Sequence, residues 1–248
     1  MRRPPNRIAV LAGSLLLAAC SSGAARNGEP EPDRAPLALF TTLPIYWGGD
    51  GDIATILDDS DGEPGWVRSV LEEDARLVPL DNLEEGALGG IKHLVMAQPR
   101  PLAPSENVAL DDWVRAGGRL LMFADPMLTE HSEFGIGDPR RPHDTVVLSP
   151  ILARWGLELQ FDDAQDLGET LRATPYGAVP VNLAGRFAAS DGGVDAHCTL
   201  GESALVANCR VGQGRVILLA DAALLETERD SAARRGILRD LLRALAAD

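Results

Sequence analysis

Short apolar runs separated by amphipathic stretches mark the first half of the chain. Residues 37–42 (LALFTT) and 76–80 predict strands, and between them Trp66, Val67, Val70 and Leu71 fall on one face of a helix within residues 63–74. Residues 93–97 (HLVMA) are continuously apolar, as a parallel strand buried on both faces must be. A helix capped by Ser105 follows, with Leu110, Trp113 and Val114 on its buried stripe and Asp111, Asp112 and Arg115 on its wet face. Gly117 and Gly118 end it, and residues 119–124 (RLLMFA) form the fourth strand, stopped by Asp125-Pro126. Residues 93–125 therefore have the length and order of one right-handed strand-helix-strand crossover. The alternation predicts an α/β fold on a mainly parallel sheet flanked by helices.

The second half changes character. A short helix over residues 149–155, closed by Gly156, leads into a strand at 157–161, and residues 173–189 hold extended segments broken by Pro175, Gly177, Pro180 and Gly185. Residues 197–220 predict an antiparallel meander whose last strand, 215–220 (RVILLA), is apolar enough to return to the central sheet. From Ser231 a final helix buries Ile237, Leu238, Leu241, Leu242 and Leu245.

The N-terminus follows a different pattern. Arg2, Arg3 and Arg7 precede an apolar run at residues 8–17 that is too short to span a bilayer, in the order of a secretory signal. The run ends in Leu17-Ala18-Ala19-Cys20, which resembles a lipobox; an ordinary signal peptide with an incidental cysteine is the alternative. Cleavage before Cys20 and acylation of its thiol would hold the mature protein on a membrane of the bacterial envelope, facing the periplasm. Ser21, rather than Asp, after the cysteine matches lipoproteins sent on to the outer membrane. Residues 20–36 lack large apolar side chains and predict a tether spanning about 20–25 Å, leaving residues 37–248 as a single α/β domain.

Charge narrows the partners. Removal of residues 1–19 takes away three arginines and no acid, moving the formal charge from −14 to −17. Such a surface repels nucleic acid and anionic lipid, so acyl chains rather than a basic patch must supply the membrane affinity. Cys198 and Cys209 lie in two short strands around Gly201-Glu202-Ser203, which suits a cross-hairpin disulfide contributing about 2–3 kcal/mol; a reactive thiol is the alternative.

In a parallel sheet, ligands bind outside the C-terminal strand ends. Those ends carry Tyr46 and Trp47, Gln98 and Arg100, Asp125, and Asp221. Each also has a structural use, the two aspartates as turn formers or helix caps. The loop over residues 127–146 is long enough for a lid, and Arg140-Arg141, held between Pro139 and Pro142, would either grip a carboxylate or phosphate or tie the loop to nearby acids. His131, His143, Glu130, Glu133 and Asp138 crowd the same loop without helical ligand spacing, so no metal is expected. Nucleophile-elbow, P-loop and dinucleotide-binding motifs are missing from the sequence, and no cofactor is expected.

The passage LVMAQPRPLAPSENVALDDWVRAGGRLLMFADP, together with the later GQGRVILLAD, resembles the GldG-like auxiliary domain of ABC-transport systems and the wider class I glutamine-amidotransferase-like superfold. The resemblance implies a flavodoxin/glutamine-amidotransferase-like sheet and places Asp125 and Asp221 at its two strand-ending aspartates. Amidotransferases carry a nucleophilic Cys after the third strand, where this chain has Gln98-Pro99-Arg100, so the resemblance implies a non-catalytic accessory or binding module for a small ligand or an envelope protein. The alternative is an envelope hydrolase using Asp125 with Asp221 or Glu226.

Overall fold

The computed structural model describes Met1, residues 34–47 and residues 64–247; the signal segment, Cys20 and most of the tether lie outside the described residues. The elements run β1 (Pro36–Thr41), α1 (Trp66–Leu71), β2 (Arg76–Pro79), β3 (His93–Ala97), α2 (Pro104–Arg115), β4 (Arg119–Phe123), α3 (Ser149–Arg154), β5 (Leu157–Gln160), β6 (Thr170–Thr174), β7 (Gly177–Val181), β8 (Arg186–Ala189), β9 (Ala196–Leu200), β10 (Val206–Val211), β11 (Gly214–Leu219), a single 3-10 turn (Ala223–Leu225) and α4 (Ala232–Ala246).

The fold is α/β. Seven strands form one sheet in the order β2-β1-β3-β4-β11-β10-β9. Pairing is parallel from β2 through β11, and β10 and β9 add an antiparallel extension at one end. The apolar runs are the innermost strands: Leu94–Ala97, Leu120–Phe123 and Val216–Leu219 are wholly buried, as strands covered on both faces must be. Small antiparallel pairs, β5 with β8 and β6 with β7, complete the second half. Pro180 falls inside β7 rather than breaking it, because that strand pairs only with β6 within its sheet and the missing N–H can face away from the ladder.

Two glycines bring α2 onto the sheet. A Cβ at Gly118 would lie 2.5 Å from the Trp113 ring, and one at Gly214 would lie 1.9 Å from the Val114 carbonyl oxygen. Arg119 and Arg215, the next residues along β4 and β11, therefore point to the other face, where they reach main-chain carbonyls at the end of α4. Ser231 caps α4 as expected, accepting from the Arg234 N–H at 3.2 Å.

Two features of α2 depart from the pattern-based expectation. The helix starts at Pro104, whose missing N–H costs nothing in the first turn; Ser105 lies inside it and donates to Glu84, while the Glu106 carboxylate turns back to the Ala103 N–H at 2.8 Å. Asp111 is buried rather than wet. It accepts from Arg115 Nε (2.8 Å), from Trp155 Nε1 (2.9 Å) and from Arg154 Nε, tying α2 to α3. Burial alone would raise its pKa, but these donors outweigh burial and hold the carboxyl below the ordinary range.

Cys198 and Cys209 lie directly opposite one another on β9 and β10 and are joined by a disulfide. Among the described residues no helix is long and apolar enough to cross a membrane.

Candidate functional site

The parallel strands deliver several of the expected residues to one place. Gln98 directly follows β3, and Asp125 and Asp221 each lie two residues past the ends of β4 and β11; main-chain bonds of Gln98 to Phe123 and of Ala124 to Leu219 hold these ends level. Gln98 is wholly buried with φ +43, a left-handed conformation that costs a side-chain-bearing residue energy. Its amide is fully used: Nε2 donates to the Asp125 and His143 carbonyls at 3.1 and 2.7 Å, and Oε1 accepts from the Asp125 N–H at 3.1 Å.

Asp125 and Asp221 lie beside each other with 1–2% of their surface exposed. The two oxygens of Asp125 accept from the Met127 and Ala222 N–H groups, and those of Asp221 from the Ala223 and Asn182 N–H groups. Main-chain donors favour the ionised forms, but removal from water disfavours them more. Burial, with a smaller push from Glu226, raises Asp125 to about 6, and burial together with the Asp125 charge raises Asp221 well above its ordinary value. The two titrate as a pair. Glu226 and Glu130 are also raised, chiefly by burial.

A pH dependence follows from this pair. A buried acid whose folded pKa exceeds its unfolded value contributes most below the unfolded pKa and loses that contribution as pH rises through the folded pKa. For Asp125 the window runs from 3.8 to about 6. Asp125→Asn should therefore destabilise the protein at pH 4, where an amide NH2 opposes a main-chain N–H. That penalty should shrink by about 2–3 kcal/mol on going to pH 7. Urea unfolding of both proteins across the range measures it, and a penalty independent of pH would show that the pair carries no ionisation cost.

The remaining expected residues are engaged elsewhere. Arg100 turns back to pair with Glu106 at 2.7 Å, donates to the Asp81 carbonyl and covers the Phe40 ring. That pair, with the Leu83 and Ala103 N–H groups, lowers Glu106 to about 2. Tyr46 stacks edge-on against the exposed Trp47 and lies under Arg68 of α1; among the described residues no hydrogen bond or ring contact joins these aromatics to Gln98, Asp125 or Asp221. In the long loop, Arg140 pairs with Asp138 and covers Phe134, while Arg141 pairs with Asp144 and donates to the Phe134 carbonyl. Glu130 accepts from Thr227, so the loop is an ordered insertion fastened at both the Gln98 and Thr227 sides. Among the described residues no group of three His, Cys, Asp or Glu side chains is placed to hold a metal.

Two hollows lie at the opposite, N-terminal edge of the sheet. One of about 440 Å3 is bordered by Arg119, Arg210 and Arg215, and one of about 230 Å3 lies between β1, the end of α1 and α4. Pattern reading missed this edge, because each of its cations heads or closes a separate strand and only the pairing register aligns them.

A mostly parallel α/β sheet with a main-chain-saturated aspartate pair at its C-terminal edge defines a class rather than a chemistry. The family described as ABC-type uncharacterized transport system matches residues 49–179, and the chain belongs to it. It is accordingly an auxiliary protein associated with ABC-type transport. The match takes in the β3-α2-β4 unit; β1, β11 and Asp221 lie outside it. No curated protein matches the chain. Among solved structures, the chain is similar to the mmIFT52 N-terminal domain at 12% identity and TM-score 0.50, over 86% of this chain and 98% of that one. It is also similar to a ThuA-like protein from Bacteroides uniformis ATCC 8492 (11% identity, TM-score 0.42, 90% and 95% covered). A third is exo-beta-1,4-mannosidase Op5Man5 from Opitutaceae bacterium strain TAV5 (16% identity, TM-score 0.47), where 86% of this chain covers 36% of the enzyme. This chain thus spans about a third of the mannosidase. At 12% identity the likeness to the mmIFT52 domain concerns the fold alone.

Proposed function

We propose that the chain is a lipid-anchored, periplasm-facing accessory subunit of an ABC-type transport system that works by binding rather than by catalysis. The family match over residues 49–179 carries the proposal. Acylated Cys20 would anchor it, on the outer membrane by the Ser21 pattern, residues 20–36 would be the tether and residues 37–248 the working body. The state of the C-terminal edge supports a non-catalytic role. Where an amidotransferase-like site would present its nucleophile, the Gln98 side chain is spent on three main-chain groups.

The raised pKa values of Asp125 and Glu226 favour the hydrolase alternative, since a general acid at neutral pH needs such a shift. Access weighs against it. A general acid must reach its substrate, whereas both oxygens of Asp125 and of Asp221 already face main-chain N–H groups beneath the surface.

Expression of the full chain in a bacterial host, followed by membrane fractionation, mass spectrometry of the N-terminal peptide and in-cell crosslinking, tests the proposal. The expected result is a membrane-bound protein beginning at an acylated Cys20 and crosslinked to a periplasm-exposed subunit of a transport system. Cys20→Ser should leave the precursor uncleaved or release the protein in soluble form. A wild-type protein recovered soluble and unacylated, beginning at another residue, would overturn the anchoring, and absence of any transporter crosslink would overturn the accessory role.

A further inference from the structure

A single level of the sheet carries a basic residue type on each of five adjacent strands, three of them arginines: His93 of β3 is in register with Arg119 of β4, Arg119 with Arg215 of β11, Arg215 with Arg210 of β10, and Arg210 with His197 of β9, and burial lowers the pKa of His93. In-register neighbours project from the same face, where like charges side by side repel. The chain has 37 acidic residues against 23 basic ones, so acids were available to break the row. Arg68, Arg100, Arg115, Arg234 and Arg239 each have a carboxylate partner, whereas among the described residues no carboxylate pairs with Arg210 or Arg215.

The row from Arg119 to His197 borders the hollow of about 440 Å3, while His93 lines the smaller one. The lining of the larger hollow includes Arg119, His197, Asn208, Arg210, Gln213 and Arg215, and among the described residues no carboxylate lines it. Arg119 and Arg215 are held in place from one side by the terminal carbonyls of α4, donating to Leu245, Ala244 and Ala247. This is the end of the helix dipole that favours cations. Tyr176 donates its hydroxyl to Asn208 Oδ1 at 2.5 Å, which turns the amide NH2 of Asn208 into a remaining donor. The Arg210 guanidinium makes no hydrogen bond or ion pair with any described residue. A concave, donor-lined surface with a free guanidinium beside the anchored Arg215 is what a planar or tetrahedral oxyanion needs.

We infer that this groove binds an oxyanion, the carboxylate or phosphate of a small ligand, with Arg210 and Arg215 as its principal contacts and His197 and Asn208 at its margin. The shared chemistry fits a free anion or the phosphodiester of a lipid headgroup. The inference uses the opposite edge of the sheet from the aspartate pair and does not depend on the transport role.

Calorimetric titration of the full-length, detergent-solubilised protein with inorganic phosphate, citrate and the phosphodiester glycerophosphoglycerol tests it. At least one probe should bind saturably, weaken with added salt, and lose roughly tenfold or more in affinity in Arg210→Ala. Arg210 has no partner to lose, so the variant should keep the wild-type Tm. Arg172→Ala, on exposed β6, removes the same charge and should leave affinity unchanged. Binding of phosphate or citrate at least as tight as that of glycerophosphoglycerol would assign a free anion, and a tenfold preference for glycerophosphoglycerol a lipid headgroup. Absence of saturable binding by all three probes, or equal affinity in Arg210→Ala, would overturn the inference.

Discussion

Asp111→Ala should cost the protein about 3–5 kcal/mol of stability, a large share of what a domain of this kind possesses. Three donors converge on that one carboxylate. Two belong to guanidiniums that can still reach water, because the Arg115 and Arg154 side chains are 19% and 50% exposed. The third does not have that escape: Trp155 is 1% exposed, and its indole N–H would be left buried without an acceptor. The cavity left by the carboxylate adds to the loss. Asp111→Asn should fall between wild type and alanine, since its Oδ1 can still accept from Trp155 while its NH2 opposes the arginines. In urea titrations the midpoint should drop with little change in slope. A loss below 1 kcal/mol for the alanine variant would mean that α2 and α3 are held together by their apolar contacts alone.

That residue also shows where pattern reading reached its limit. Along α2 the 3.6-residue period identifies Leu110 and Val114 as buried, and they are. Asp111 lies next to Leu110 on the same helix, but polarity assigned it to solvent, because its partners Arg154 and Trp155 are more than forty residues away in sequence. Strands that are apolar throughout were legible for the opposite reason. HLVMA and RLLMF need no partner to be recognised, and both appear within a residue of their expected bounds. The alternating strands around Cys198 and Cys209 likewise carried their own pairing, since a short hairpin admits few registers.

Sheet order and register were not legible, and they decide the sites. The C-terminal edge could be listed from strand ends, yet its members divide according to local partners: Gln98, Asp125 and Asp221 converge, while Arg100 is drawn to Glu106 and Arg140 and Arg141 to acids in their own loop. The cationic row is the converse case. His197, Arg210, Arg215 and Arg119 are unremarkable polar residues near strand ends until β11 is seen to insert beside β4 with β10 and β9 following. A local pattern can assign a residue to a face, but only long-range pairing supplies its neighbours.

Gln98→Leu should destabilise the protein by about 3–4 kcal/mol and loosen the 127–146 loop at the same time. Leucine matches glutamine closely in size and pays the same cost for φ +43, so the exchange isolates the polar contacts from packing and backbone strain. It strands two buried or half-buried main-chain groups, the N–H of Asp125 and the carbonyl of His143, each worth about 1–3 kcal/mol when left unmet, and leaves the Asp125 carbonyl with the Val146 N–H alone at 3.3 Å. The consequence spreads because His143 is also tied to Thr42, whose hydroxyl donates to the Gln98 carbonyl at 2.5 Å and accepts the His143 N–H at 3.2 Å. Gln98 thus joins the ends of β1, β3 and β4 to the loop through one side chain and one carbonyl. Limited proteolysis should cut the variant within residues 127–146 under conditions where wild type is resistant, before global unfolding. If instead stability falls while the loop stays protected, Arg141, with its bonds to Phe134 and Asp144, and Glu130, with its bonds to Thr227, hold the insertion without help from Gln98.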